Sequence, residues 1–216
     1  MQFWSALILA GGAGRRFGGG KLLVDLAGAP VIRRVAETVA TAGFAEVVVV
    51  TGADDAGIRA ALEGLGARIV AAPDWAEGMA ATLRTGILTL APDAKGVCVF
   101  LGDMPLVPVS LCPALTEAAE RAGYAARPRR DGKPGHPVAF TRAAFADLLT
   151  LTGDQGATAL LKQRPEAVAY IDTAVSGALL DIDTPADLAA AARAWNACAT
   201  SATNANATSR GALPKP

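Results

Sequence analysis

Apolar residues along this chain follow two alternating rhythms. Residues 4–10, 46–51, 67–72 and 96–101 are short, nearly unbroken apolar runs, and the second holds four consecutive valines. Runs of this length predict strands buried on both faces, as in a parallel sheet. Between them the apolar positions recur at helical spacing. After Pro30 come Val31, Ile32, Val35 and Val39, stopped by Gly43. Residues 55–65 form a second helical segment closed by Gly66, and residues 78–90 a third, with Leu83, Ile87 and Leu90 on its core face. This rhythm predicts an α/β fold with a doubly wound, mostly parallel sheet and helices on both faces. Right-handed crossovers then place the loops after Ala10 and Leu101 on one rim, beyond the carboxyl ends of the strands, where such folds bind ligands.

The rhythm changes after residue 123. Residues 124–140 hold Arg127, Arg129, Arg130, Asp131, Gly132, Lys133, Gly135 and His136, the pattern of a hairpin with a long polar turn. Helices from Arg142 and Asp154, a strand at 167–171 and an extended segment at 179–184 follow. A last helix opens with Pro185 in its first turn. From residue 196 onward only Ala, Thr, Ser and Asn dominate and no apolar period survives. The pattern predicts one domain over residues 1–197 and a disordered tail over 198–216.

At 216 residues and 52% hydrophobic content, the chain can bury a single sizeable core. Its zero formal net charge gives no overall electrostatic case for nucleic acid. The first apolar run is too short to span a bilayer and has no basic stretch before it. Cys98, Cys112 and Cys198 form no CxxC pair and no metal-ligand spacing, which fits a reducing cytoplasm.

Chemistry concentrates in two rim loops. The first reads Leu9-Ala10-Gly11-Gly12-Ala13-Gly14-Arg15-Arg16-Phe17-Gly18-Gly19-Gly20-Lys21. It is not a Walker A loop, because Arg15 stands where that motif needs glycine and Leu22 where it needs Ser or Thr. Nor does an acidic residue end the second strand, as a dinucleotide fold requires. Successive glycines present backbone N–H groups as an anion cradle, and Arg15, Arg16 and Lys21 add charge suited to a triphosphate. The second loop, Gly102-Asp103-Met104-Pro105, sets a carboxylate at a strand end. A further pair, Asp181 and Asp183, points to one side of an extended segment. One of that pair is expected to cap the last helix and the other, with Asp103, to hold magnesium, which takes one or two carboxylates plus phosphate oxygens. The reaction expected is in-line attack by a substrate phosphate on the α-phosphorus of a nucleoside triphosphate. Such a nucleophile is already ionised and needs no general base. His136 is the only histidine, and its Gly-His-Pro setting points to the acceptor phosphate. Arg127, Arg129, Arg130 and Lys133 are either a patch for an anionic acceptor or a solvated hairpin tip.

Six blocks in order resemble the MobA-like nucleotidyltransferases, and within them the molybdenum cofactor cytidylyltransferases. They are the glycine loop with Arg16 and Lys21; Gly78-Met79-Ala80-Ala81-Thr82-Leu83-Arg84; Gly102-Asp103-Met104-Pro105; Gly135-His136-Pro137; Gly153-Asp154-Gln155-Gly156-Ala157; and Asp181-Ile182-Asp183-Thr184-Pro185. The resemblance implies a Rossmann-like fold of the nucleotide-diphospho-sugar transferase type. It implies a base held by Leu9, Ala10, Gly11 and Gly12, with Gly14, Arg15, Gly78 and Thr82 on the nucleotide side. Arg16 and Lys21 would hold the phosphates, Asp103 and Asp183 would hold Mg2+, and Gly135, His136 and Asp154 would lie near the acceptor. CTP and a molybdenum-bound molybdopterin are the implied substrates, with a molybdenum hydroxylase or its chaperone as recipient. Gly11 is shared with the guanylyl branch, so GTP stays open as the nucleotide. A sugar or alcohol phosphate stays open as acceptor, and a non-catalytic cofactor carrier is the reading from another class.

Overall fold

A computed structural model describes residues 1, 3–154 and 156–209, the side chains of residue 15 and of residues 198–209 excepted. The elements in chain order are β1 (Trp4–Ala10), β2 (Asp25–Leu26), β3 (Ala29–Pro30), α1 (Val31–Ala40), β4 (Glu46–Thr51), α2 (Asp55–Ala61), β5 (Arg68–Ala71), α3 (Met79–Thr89), β6 (Gly96–Leu101), α4 (Cys112–Ala122), β7 (Ala125–Arg130), β8 (Lys133–Pro134), β9 (Val138–Thr141), α5 (Phe145–Leu149), α6 (Thr158–Gln163), β10 (Val168–Asp172) and α7 (Pro185–Ser209). The main sheet runs β10-β7-β9-β6-β1-β4-β5, with β8 pairing β7. Around β1 the pairs are parallel, β9 runs antiparallel to β6 and β7, and the short β8 is antiparallel to β7.

Period-two alternation sorts each central strand into two cores. Ala6, Ile8, Val49, Cys98 and Phe100 face the layer of α1, α2 and α4, where Ile32, Val35, Ile58 and Leu115 meet them. Leu7, Leu9, Val48, Val50, Val97 and Val99 face α3, α5 and α6 through Leu83, Ile87, Leu148 and Leu160. Because both faces are covered, β1 is buried along its whole length. A third, smaller cluster of Leu26, Val31, Ile182 and Ala191 ties the β2–β3 ribbon to α7 beside the glycine loop.

The chain leaves β1 toward β4 and β5, then returns to the other side of β1 as β6. The strand order therefore reverses between β1 and β6, and the crevice at such a reversal is where open α/β sheets bind ligands. Register pairs Leu9 with Leu101, and Gly102 N–H donates to the Leu9 carbonyl at 2.9 Å. The two rim loops thus start side by side.

Three details differ from the pattern. Pro30 precedes α1 as its N-cap residue rather than opening the helix. Helix α4 gave little periodic contrast because alanines fill much of it, but Pro113 sits in its first turn and Gly123 ends it in the left-handed region. The expected long polar turn is tight instead: Asp131 and Gly132, both at positive φ, join β7 to β8 as a two-residue loop. Helix α7 extends to Ser209. Residues 210–216 of the expected tail lie outside the described residues. Among the described residues no helix is long and apolar enough to cross a membrane.

Candidate active site

The crevice between the β1 and β6 loops opens into a cleft of about 540 Å³. Its walls contain Leu9, Ala10, Gly11, Gly12, Gly14, Arg16, Lys21, Gly78, Thr82, Asp103, Asp154 and Asp183, most of the residues expected from sequence. Arg15 lies in a 3-10 turn at the same loop. Gly135 and His136 do not line the cleft.

The floor is an ionic cluster assembled from three distant segments. Lys21 Nζ lies 2.6 Å from Asp103 Oδ2 and 2.9 Å from Asp183 Oδ1, while Arg16 Nη1 lies 2.7 Å from Asp183 Oδ2. Burial by itself would depress the Lys21 ammonium. The Asp103 carboxylate, then Asp183, outweigh it and hold the ammonium above its ordinary range. Arg16 is largely exposed, so its contact adds little to stability. Asp181, also on the cleft wall, is raised above the usual carboxylate range by burial and then by the nearby charges of Asp103 and Asp183.

The other oxygen of Asp103, Oδ1, is buried and has no hydrogen-bond partner among the described residues. An orphaned carboxylate oxygen is costly. It belongs to a carboxylate that, together with Asp183, is held by the Lys21 ammonium. These donors fit a divalent ion: magnesium takes hard oxygen ligands, and one or two carboxylates suffice when phosphates and water complete the shell. Asp103 and Asp183 are the residues that would hold it.

Neither Asp181 nor Asp183 caps α7. Thr184 does so through a reciprocal box, its Oγ1 accepting from Asp187 N–H at 3.2 Å while its own N–H donates to Asp187 Oδ2 at 2.7 Å. This leaves both aspartates free for the cleft. The segment that carries them is stitched to the β6 loop by Ile182 N–H donating to the Asp103 carbonyl at 3.1 Å. Upstream it threads tightly past Leu106, and His136 N–H donates to the Ala178 carbonyl at 2.9 Å.

His136 therefore sits behind this strap. Its ring hydrogen-bonds the Val99 backbone, and its Nδ1 is buried without a partner among the described residues. Burial, then the neighbouring Arg127 charge, lower its pKa to about 4. The unfolded chain binds this proton near pH 6.5 and the folded chain only near pH 4, so stability declines as pH falls through that window. Replacing His136 with Gln should remove up to about 2 kcal/mol of that acid loss. Urea midpoints of both proteins at pH 7 and pH 4.5 test this, and identical pH slopes would exclude a buried neutral histidine.

The basic residues of the β7–β8 hairpin do not form an open patch. Arg127 is buried with its guanidinium on the Gly135 carbonyl at 3.0–3.1 Å, Arg129 pairs with Asp172 and Arg130 with Asp131. On the opposite wall Asp154 lies against Gly78, and Ala80 N–H donates to the Gly153 carbonyl, so the 153–156 loop is fastened to the start of α3. Further wall residues were not anticipated, among them Phe17, Trp75 and Met79. Trp75 stands three residues before Gly78, in a stretch with no spacing pattern to mark it.

Fold and floor together define an α/β nucleotidyltransferase, with a glycine cradle and a carboxylate–lysine cluster meeting at the switch point of a mostly parallel sheet. Residues 6–168 match the MobA-like NTP transferase domain, and the chain belongs to that family. It is 34% identical over 192 residues to the nicotine blue oxidoreductase of Paenarthrobacter nicotinovorans, covering 83% of this chain and 92% of that one. Its structure superposes on the Mycobacterium sp. strain JC1 homolog of Mycobacterium tuberculosis rv0371c with a TM-score of 0.78 at 26% identity, covering 89% of this chain and 98% of that one. The M. tuberculosis H37Rv Rv0371C structure in complex with manganese gives a TM-score of 0.70 at 25% identity, with coverage of 88% and 98%.

Proposed function

We propose that this protein joins CTP to molybdenum-bound molybdopterin, releasing pyrophosphate and forming molybdopterin cytosine dinucleotide. The observation that carries the reading is the floor of the cleft, where Lys21 bridges Asp103 and Asp183 beneath a glycine loop. The six sequence blocks shared with the molybdenum cofactor branch support the acceptor.

The base is proposed to lie over Gly11. That glycine lacks a side chain, and Thr82 occupies the space one would take: a Cβ at residue 11 would stand 2.4 Å from Thr82 Oγ1 and 3.1 Å from its Cγ2. The floor under the base is closed, and the Thr82 hydroxyl borders it.

In the reaction, an oxygen of the acceptor phosphate forms a bond to the α-phosphorus. The bond from that phosphorus to the bridging oxygen of pyrophosphate breaks, and pyrophosphate leaves with the electron pair. Mg2+, when bound, supplies charge that neutralises the phosphate oxygens. Backbone N–H groups of residues 11–14 cradle the phosphates, and Lys21 and Arg16 donate to their oxygens. Asp154, beside Gly78, would meet the acceptor, while Gly135 and His136 lie behind the strap that carries Asp183. Catalysis of this kind rests on positioning and electrostatics.

Pyrophosphate release from CTP and from GTP, with Mg2+ and molybdenum-bound molybdopterin supplied, tests the proposal. CTP should be used at least about tenfold faster, a difference of about 1.4 kcal/mol. Turnover with GTP alone would assign the guanylyl alternative. A second reading comes from the relative named an oxidoreductase. Redox turnover without pyrophosphate release would support it against nucleotidyl transfer.

A further inference from the structure

Trp75 stands where the ends of β1 and β4 come closest. A Cβ at Gly52, just past β4, would lie 2.4 Å from the Gly11 carbonyl oxygen, 2.8 Å from the Gly11 Cα and 2.8 Å from the Trp75 Cβ. The indole is thereby anchored beside the backbone that floors the base subsite. Its backbone is fixed as well: Trp75 N–H donates to the Ala72 carbonyl and Gly78 N–H to the Trp75 carbonyl. The ring packs against the α3-side core and is half-buried, with the rest open to the cleft.

The other tryptophans are accounted for. Trp4 is buried and donates to Glu120, and Trp195 lies under the Arg34 guanidinium. The Trp75 indole has no hydrogen bond, ring contact or cation–π partner among the described residues. Trp75 and the exposed Met79 add apolar surface to a cleft whose other lining includes Arg16, Lys21 and carboxylates. A triphosphate suits the charged groups and a planar ring the apolar ones.

We propose that Trp75 is the nucleobase wall of this site, its indole packing against the base that lies over Gly11. The inference rests on the nucleotidyltransferase reading and adds a residue that the glycine loop and Thr82 do not supply. Indole–base contact is sequence-tolerant and contributes affinity for the base alone, not for the phosphates.

The test compares CTP with inorganic tripolyphosphate, which has no base, on the full chain. CTP should change tryptophan fluorescence in the wild-type protein, because Trp75 alone of the three lines the cleft. Trp75→Ala should weaken CTP binding roughly five- to hundredfold by calorimetry and leave tripolyphosphate binding unchanged. Trp75→Phe, which keeps an aromatic face, should recover most of that loss. Equal CTP affinity in wild type and Trp75→Ala overturns the inference and leaves the nucleotidyltransferase reading intact. Equal loss of CTP and tripolyphosphate in both variants also overturns it, showing a structural role only. Failure of the wild-type protein to bind CTP or GTP overturns both.

Discussion

Asp103→Ala should lower nucleotidyl transfer by about 10³-fold or more while the protein stays folded. Asp103 follows the central strand that neighbours β1, one of its oxygens is held by Lys21 at 2.6 Å, and the other is buried with no partner among the described residues. That unpaired oxygen costs stability in the free protein, which is the mark of a group kept for binding rather than for the fold. Removing the side chain relieves that cost and leaves Lys21 its contact with Asp183. The melting temperature should therefore hold or rise slightly while pyrophosphate release disappears. Release at the wild-type rate would take Asp103 out of the reaction, and a collapsed melting curve would make it structural.

Gly177→Ala should be the most damaging single methyl in the strap. The added carbon would stand 1.7 Å from the Leu106 carbonyl oxygen and 2.6 Å from the Leu106 carbonyl carbon. Both are backbone atoms of the loop that follows Asp103, so relief requires moving one segment off the other. Overpacking of this kind typically costs 1–3 kcal/mol and more when backbone must shift, so a loss of about 3 kcal/mol is expected. The strap continues to Asp183, so turnover should also drop, by about 10²-fold if Asp183 moves by an ångström. Gly57→Ala supplies the contrast. Its methyl would press on Leu23 Cδ1, the far end of a flexible side chain, inside α2, where alanine is the better helix former. Denaturant midpoints with unchanged slopes should show a large loss at Gly177 and almost none at Gly57. Equal midpoints for the two variants would mean that the strap yields easily, and the tight packing would then not explain how Asp183 is held.

These two residues also separate what was legible from what was not. Asp103 was readable because its place is local: a carboxylate directly after an apolar run lies at the carboxyl end of a strand. Gly177 was not, since the reason for that glycine is a carbonyl more than seventy residues away. His136 was read from its neighbours as an acceptor contact, yet the structure sets it behind the strap with Val99 and Ala178. Asp183 and Asp181 were seen as a pair, but Thr184 took the capping role expected of one of them. Trp75 went unnoticed because no spacing pattern marks a residue whose partners are the glycines of two other loops.

The sequence by itself determined the strands at residues 4–10, 46–51 and 96–101, the helices between them and the rim on which the glycine loop and Asp103 stand. A strand covered on both faces must be apolar throughout and a helix packed on one face must be apolar at every third or fourth place, so both are written within a short window. Only the tertiary structure decided that Lys21 closes on Asp103 and Asp183, that Thr82 fills the space above Gly11 and that Trp75 reaches the same floor. Those contacts depend on strand order, register and the path of the strap, which are properties of the packed whole rather than of any stretch of chain.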